Sequence, residues 1–115
     1  MRGPALEMKT STLEADFDQA WKLWGSKEQP VPEFQFLVKR RFRFDRAFPA
    51  KKVAVELEGG VWSGGRHTRG KGFESDCCKY NLANSHGWRV FRFTGTMLKR
   101  DPAGCVEQVR EALNG

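Results

Sequence analysis

No stretch of this chain approaches the ~20 consecutive apolar residues that a bilayer-spanning helix requires, and its first residues hold no secretory apolar segment. Cysteine is scarce: Cys77, Cys78 and Cys105 are the three present. An odd count with an adjacent pair does not build a disulfide framework. Without a Cys-x-x-Cys pair, a structural zinc site has no scaffold either. Reduced thiols and a cytoplasmic setting are therefore expected. The glycine-rich stretch from Gly59 to Gly72 lacks the Gly-Lys-Ser/Thr ending of a Walker loop, which removes that nucleotide-binding class. Internal repeats are absent, and nothing marks a second domain.

What is present is a 115-residue chain with 39% hydrophobic and 30% charged residues, enough for one folded domain with a modest core. The net charge is +6, unevenly spread. Residues 1–36 carry four Lys/Arg and six Asp/Glu; the remainder carry sixteen and eight. A basic segment of this kind suits a polyanion, nucleic acid first, although a basic balance also serves solubility alone.

Residues 1–10 show no clear period and read as a loose lead-in. Ser11-Thr12-Leu13-Glu14 has the form of a capping box. Leu13, Phe17, Ala20, Trp21 and Trp24 then recur at helical spacing, and Gly25 stops the helix. Pro30 and Pro32 make residues 25–32 a linker. A first strand is expected at Glu33–Val38. Phe42, Phe44 and Phe48 alternate on a second strand, and Val53–Glu58 forms a third after a turn at Pro49-Ala50. A second helix spans Phe73–Ser85, with Phe73, Cys77, Tyr80 and Ala83 toward the sheet. Trp88–Phe93, apolar on both faces, reads as an internal strand. A last helix covers Ala103–Leu113. The order predicts an α/β fold, with a mixed sheet of about four strands flanked by helices.

Alternation along the third strand sends Val53, Val55 and Leu57 into the core and Ala54, Glu56 and Glu58 to the other face. Asp45 on the neighbouring strand is expected to join them. Clustered carboxylates in a basic protein repel one another unless a cation neutralises them, and hard oxygen donors suit Mg²⁺ or Mn²⁺. The same metal-carboxylate chemistry, set among arginines and lysines, serves phosphodiester hydrolysis. Arg41 and Arg43 precede Asp45 by four and two residues and are candidates for contact with nucleic acid. The glycine-rich stretch adds Trp62, Arg66, His67, Arg69 and Lys71, basic and aromatic groups suited to a DNA backbone. His67 is a candidate for proton transfer or for positioning water or phosphate; the bland alternative is a simple hydrogen-bonding loop residue. Trp62 is alternatively a lid on the core. Arg92 is either a phosphate clamp or the partner of a carboxylate.

Four segments taken in order resemble the PD-(D/E)xK nuclease superfamily: Arg41-Phe42-Arg43-Phe44-Asp45, Val55-Glu56-Leu57-Glu58-Gly59-Gly60, Gly65-Arg66-His67-Thr68-Arg69-Gly70 and Gly87-Trp88-Arg89-Val90-Phe91-Arg92-Phe93. They look like the small endonuclease-like proteins of phages and prophages related to very-short-patch-repair nucleases. The resemblance covers about residues 34–94. It implies a restriction-endonuclease-like α-β-β-β-α-β core and a Mg²⁺- or Mn²⁺-dependent endonuclease acting on DNA in phage DNA processing, repair or recombination. The setting it implies is the cytoplasm of the phage or its bacterial host.

By the same resemblance Asp45 and Glu56 would bind metal, with Glu58 a further ligand. Glu58 stands where the superfamily has its motif lysine. In some branches that lysine moves to the following helix, which makes Lys79 the candidate. The alternative for Lys79 is an exposed ion pair with Asp76. An acidic residue of the first helix often lies near the metal in the superfamily; for Glu14 the capping role is the simpler expectation. A homodimer would suit paired cuts or a branched junction. The departure at Glu58 leaves open a nucleic-acid-binding protein that keeps the fold without the chemistry.

Overall fold

The computed structural model describes residues 3–59 and 70–115, with side chains placed for 13–59 and 72–115. The first helix, α1, runs Gly3–Trp24. Ser11–Glu14 thus lie inside it and not at a helix start, and the expected loose lead-in is helical from Gly3. Pro4 suits a first helical turn, and Ala5, Leu6, Glu7, Met8 and Lys9 are strong helix formers, so the helix propagates back past the serine. Phe17, Ala20 and Trp21 are buried as the periodicity requires, whereas Trp24 is exposed. The helix stops at Gly25, whose N–H bonds the Trp21 carbonyl at 2.7 Å. A Cβ at this position would lie 2.4 Å from the Trp21 ring, so only glycine allows the close turn. The Trp21 indole N–H donates to the Glu28 carbonyl at 2.9 Å, fixing the linker against the helix.

Four strands form one sheet in the order β1-β2-β3-β4. They are β1 (Val31–Gln35), β2 (Arg43–Phe48), β3 (Val53–Glu58) and β4 (Arg89–Thr94). The first two junctions are antiparallel and β3·β4 is parallel. β1 begins before the predicted Glu33 and includes Pro32. An edge strand tolerates proline because one side of its backbone needs no partner. A 3₁₀ turn over Pro49–Lys51, with Lys52 left-handed at φ 54°, joins β2 to β3. The crossover from β3 to β4 contains the second helix, α2 (Gly70–Ser85). α3 (Gly95–Arg100) follows β4 directly, capped by Thr94, and was not anticipated. α4 (Pro102–Asn114) is capped by Asp101, which accepts from Gly104 N at 3.0 Å.

Two apolar layers sandwich the sheet. On one face Phe17 and Trp21 of α1 meet Val53, Val55, Phe93, Leu98 of α3, and Val106, Val109 and Leu113 of α4. On the other, Ala83 of α2 meets Ala54, Phe44 and Trp88, with Phe36 stacked on Phe44 and Phe34 tilted against Trp88. The expected alternation of β3 and β4 is found: Val53 and Val55 serve one layer with Phe93, and Ala54 serves the other with Trp88 and Val90. β4 is nonetheless the last strand in the order. Its two-sided apolar pattern comes from helices on both faces, not from an interior place. On α2, Phe73 and Cys77 are exposed and do not face the sheet; Ala83, with half-buried Lys79 and Tyr80, makes the inward line. No helix among the described residues is long and apolar enough to cross a membrane.

Candidate functional site

The ladder between β2 and β3 pairs Phe48 with Val53, Ala47 with Ala54 and Arg46 with Val55, and stops there. At the next position side chains take over the backbone groups. Asp45 N–H donates to Glu56 Oε2 at 3.0 Å, and Leu57 N–H donates to Asp45 Oδ2 at 2.7 Å. The irregularity also shifts the faces of β2. Phe44 packs on the α2 side and Phe48 on the α1 side, so Phe44 and Phe48 do not share the face that simple alternation predicts. Opposite Asp45, between the pairs Pro32–Arg46 and Phe34–Phe44, stands Glu33 with φ 49°. A left-handed non-glycine residue costs of order 1–3 kcal/mol and is held by its surroundings, here at the point where acidic groups converge.

Glu14, Glu33 and Asp45 each offer a carboxylate oxygen, and these oxygens lie within 4.8 Å of one another. Burial pushes Glu14 and Asp45 above the ordinary carboxylate range, and the Glu33 charge raises both further. For Asp45 the Leu57 N–H works the other way; for Glu14, Arg46 does. Arg46 is a buried cation, 7% exposed. It donates to both Asp18 oxygens at 2.9 and 2.8 Å and to the Asp45 carbonyl at 2.7 Å, and lies 3.5 Å from Glu14. The Asp18 hydrogen bonds raise its guanidinium above the usual range despite burial. Arg46 therefore fastens α1 to β2 and holds Glu14 beside Asp45.

Glu56 and Glu58 face α2. Lys79 Nζ donates to Glu56 Oε1 at 2.8 Å, in a pair whose side chains are only 13% and 10% exposed. The same ammonium lies 5.6 Å from the Phe44 ring centre. Tyr80 donates its hydroxyl to Glu56 Oε1 at 3.0 Å and lies 3.4 Å from Glu58 Oε2. Burial raises Glu56 as well, against the pull of Lys79. Burial, then the Glu56 and Glu58 charges, push the Tyr80 phenol far up, so it remains a donor. Arg92 Nε donates to Glu58 Oε2 at 2.8 Å, and its guanidinium stacks 4.3 Å over the Tyr80 ring.

Asp45 and Glu56 are thus adjacent, linked through the Asp45 amide, and Lys79 joins them by pairing with Glu56 instead of Asp76. Asp45 is grouped with Glu14 and Glu33, not with Glu58, which is paired with Arg92. Glu14 does not cap; it belongs to the acidic trio. Arg41 and Arg43 are exposed at the entry to β2. Trp62, Arg66, His67 and Arg69 lie outside the described residues, as does the side chain of Lys71. Sequence reasoning missed Glu33, Arg46 and Tyr80. Tyr80 had one available signal, its position next to Lys79 on a helix.

As a donor set the trio fits a hard cation. Metal–oxygen distances of about 2.0–2.6 Å place two ligands of one ion up to ~5 Å apart, which the carboxylate spacing meets. No protein-family model, curated protein or solved structure matches this chain.

Proposed function

We propose that this protein is a Mg²⁺- or Mn²⁺-dependent endonuclease that hydrolyses DNA phosphodiester bonds. One observation supports the reading above the others: the acidic trio of Glu14, Glu33 and Asp45 is joined, through the Asp45 amide and Glu56, to a directed ammonium on Lys79. Oxygen donors and a cation at one break in a sheet are the parts that phosphoryl chemistry requires. Glu14, Glu33 and Asp45 would hold the ion. When bound, such an ion neutralises phosphate charge and acidifies a water toward neutral pH.

The chain's own residues supply position and charge. Glu56 fixes Lys79 Nζ with one hydrogen bond, which leaves further N–H donors for an entering phosphate oxygen. Tyr80 donates to the same Glu56 oxygen, Oε1, and stays a phenol, while Glu56 Oε2 accepts from the Asp45 amide. Arg92 engages Glu58 through Nε; its guanidinium, half exposed, carries remaining N–H groups for a neighbouring phosphate. Arg41 and Arg43 add counter-charge along the approach to Asp45.

A second reading, a nucleic-acid-binding protein without cleavage, is favoured by the pairing of Glu56 and Glu58 with internal cations. Nicking of supercoiled plasmid with Mg²⁺ or Mn²⁺ separates the two. The nuclease reading expects cutting by the wild type and a fall of at least ~100-fold for Asp45→Ala. Equal cutting by both proteins rejects it, and DNA binding without any cutting favours the second reading.

A further inference from the structure

The segment between β1 and β2 is built as a fixed projection. The Gln35 side-chain amide donates to the carbonyls of Arg40 at 2.7 Å and Leu37 at 3.0 Å, and lies 3.4 Å from that of Val38. Arg40 N–H closes a turn onto the Leu37 carbonyl. The Arg40 guanidinium sits 5.4 Å from the Phe42 ring centre and donates to Cys78 Sγ at 3.2 Å, tying the turn to α2 one residue from Lys79. At the apex Val38 is 95% exposed. Lys39, Arg41 and Arg43 around it are also exposed.

The turn, braced by the Gln35 side chain, thus presents Val38 with three exposed cations close in sequence, Lys39, Arg41 and Arg43, a basic projection complementary to a polyanion. Apolar tips flanked by Lys and Arg are suited to DNA grooves, where cations take phosphates and the apolar group meets sugar and base edges. We propose that residues 36–42 form a preorganised hairpin tip that seats in a groove of duplex DNA, with Val38 in the groove and Lys39, Arg41 and Arg43 on the flanking phosphates. The inference rests on the nuclease reading and deepens it by assigning a duplex-holding element. Arg43 stands two residues before Asp45, about 7 Å along the strand. With a rise of about 3.4 Å per nucleotide, Arg43 reaches a phosphate roughly two nucleotides from one held at Asp45, and the tip engages the duplex beyond it. An anionic membrane fits less well: one valine is far short of the apolar area that anchors a protein at a bilayer.

The test is binding of a short fluorescent duplex in EDTA, read by anisotropy over a series of salt concentrations. Val38→Ser is expected to weaken binding about tenfold. Arg41→Ala is expected to lower the log-affinity against log-salt slope by about one. Gln35→Ala, which removes no charge, is expected to weaken binding by loosening the turn. Lys99→Ala, on α3 across the sheet, serves as the control and is expected to leave affinity unchanged. Duplex binding that ignores all three tip variants overturns the inference and leaves the nuclease reading standing. No duplex binding in EDTA by any protein, wild type included, overturns the inference, while the nuclease reading is judged separately by plasmid nicking with Mg²⁺ or Mn²⁺. Tip-dependent binding to phosphatidylserine vesicles without duplex binding assigns the surface to membranes and also overturns the inference.

Discussion

Lys79 and Glu56 meet at 2.8 Å across the α2–β3 junction, each side chain mostly buried. The pair sits where acid from the sheet and base from the helix confront one another, and its partners are connected to everything else in the site. Lys79→Met would leave a buried carboxylate unpaired and cost about 3 kcal/mol of stability. Nicking is expected to fall ~100-fold or more. A Lys79→Met, Glu56→Gln double variant should recover much of the stability and none of the activity, measured by denaturant unfolding beside the plasmid assay.

Acid–base linkage gives a second prediction. Glu14, Asp45 and Glu56 all have folded-state pKa values raised above the unfolded range, chiefly by burial. The folded protein therefore holds protons that the unfolded chain releases. Their contribution to stability is fully present below the ordinary carboxylate pKa of about 4 and is lost as pH rises through the raised values. In EDTA, Tm should fall across that window. Asp45→Asn should flatten the fall and raise Tm near neutral pH, while Mn²⁺ should stabilise the wild type and not this variant. A variant less stable than wild type in EDTA at neutral pH contradicts the linkage.

Arg46 is expected to be structural as well as electrostatic. Its guanidinium is bound by both Asp18 oxygens and the Asp45 carbonyl, so Arg46→Ala removes a fastener between α1 and β2 and exposes the trio to its own repulsion. A loss of about 3 kcal/mol is expected. Asp18→Asn should cost less, since Asp18 is half exposed and an amide still accepts a hydrogen bond. Chemical denaturation of the two variants gives the ranking.

Gly25→Ala is the sharpest test of the fold away from the site. The added methyl would overlap the Trp21 ring, which packs against Phe17 and Phe48 in the core. Displacing it is expected to cost about 1–3 kcal/mol. An unchanged Tm contradicts the described turn.

Legibility in the sequence followed local regularity. β3 was readable because Val53, Val55 and Leu57 alternate cleanly with Ala54, Glu56 and Glu58, and the layers on either side follow from that. The order of helices and strands was legible for the same reason, apart from short α3, whose six residues carry too little period to register. β2 was misread at the point where alternation stops: Asp45 and Glu56 replace ladder bonds with side-chain bonds, so Phe44 and Phe48 end on different faces. Glu33 was missed because nothing local marks a left-handed glutamate; its partners across the sheet impose it. Arg46 was missed because its burial depends on Asp18 and Glu14, some thirty residues away in the chain.

The account stands or falls on where a divalent ion binds. Crystals soaked in Mn²⁺ and measured for anomalous scattering give the most direct answer. The account predicts a peak among the carboxylates of Glu14, Glu33 and Asp45, absent from Asp45→Ala. No peak there at saturating Mn²⁺, or a peak that survives Asp45→Ala, contradicts it.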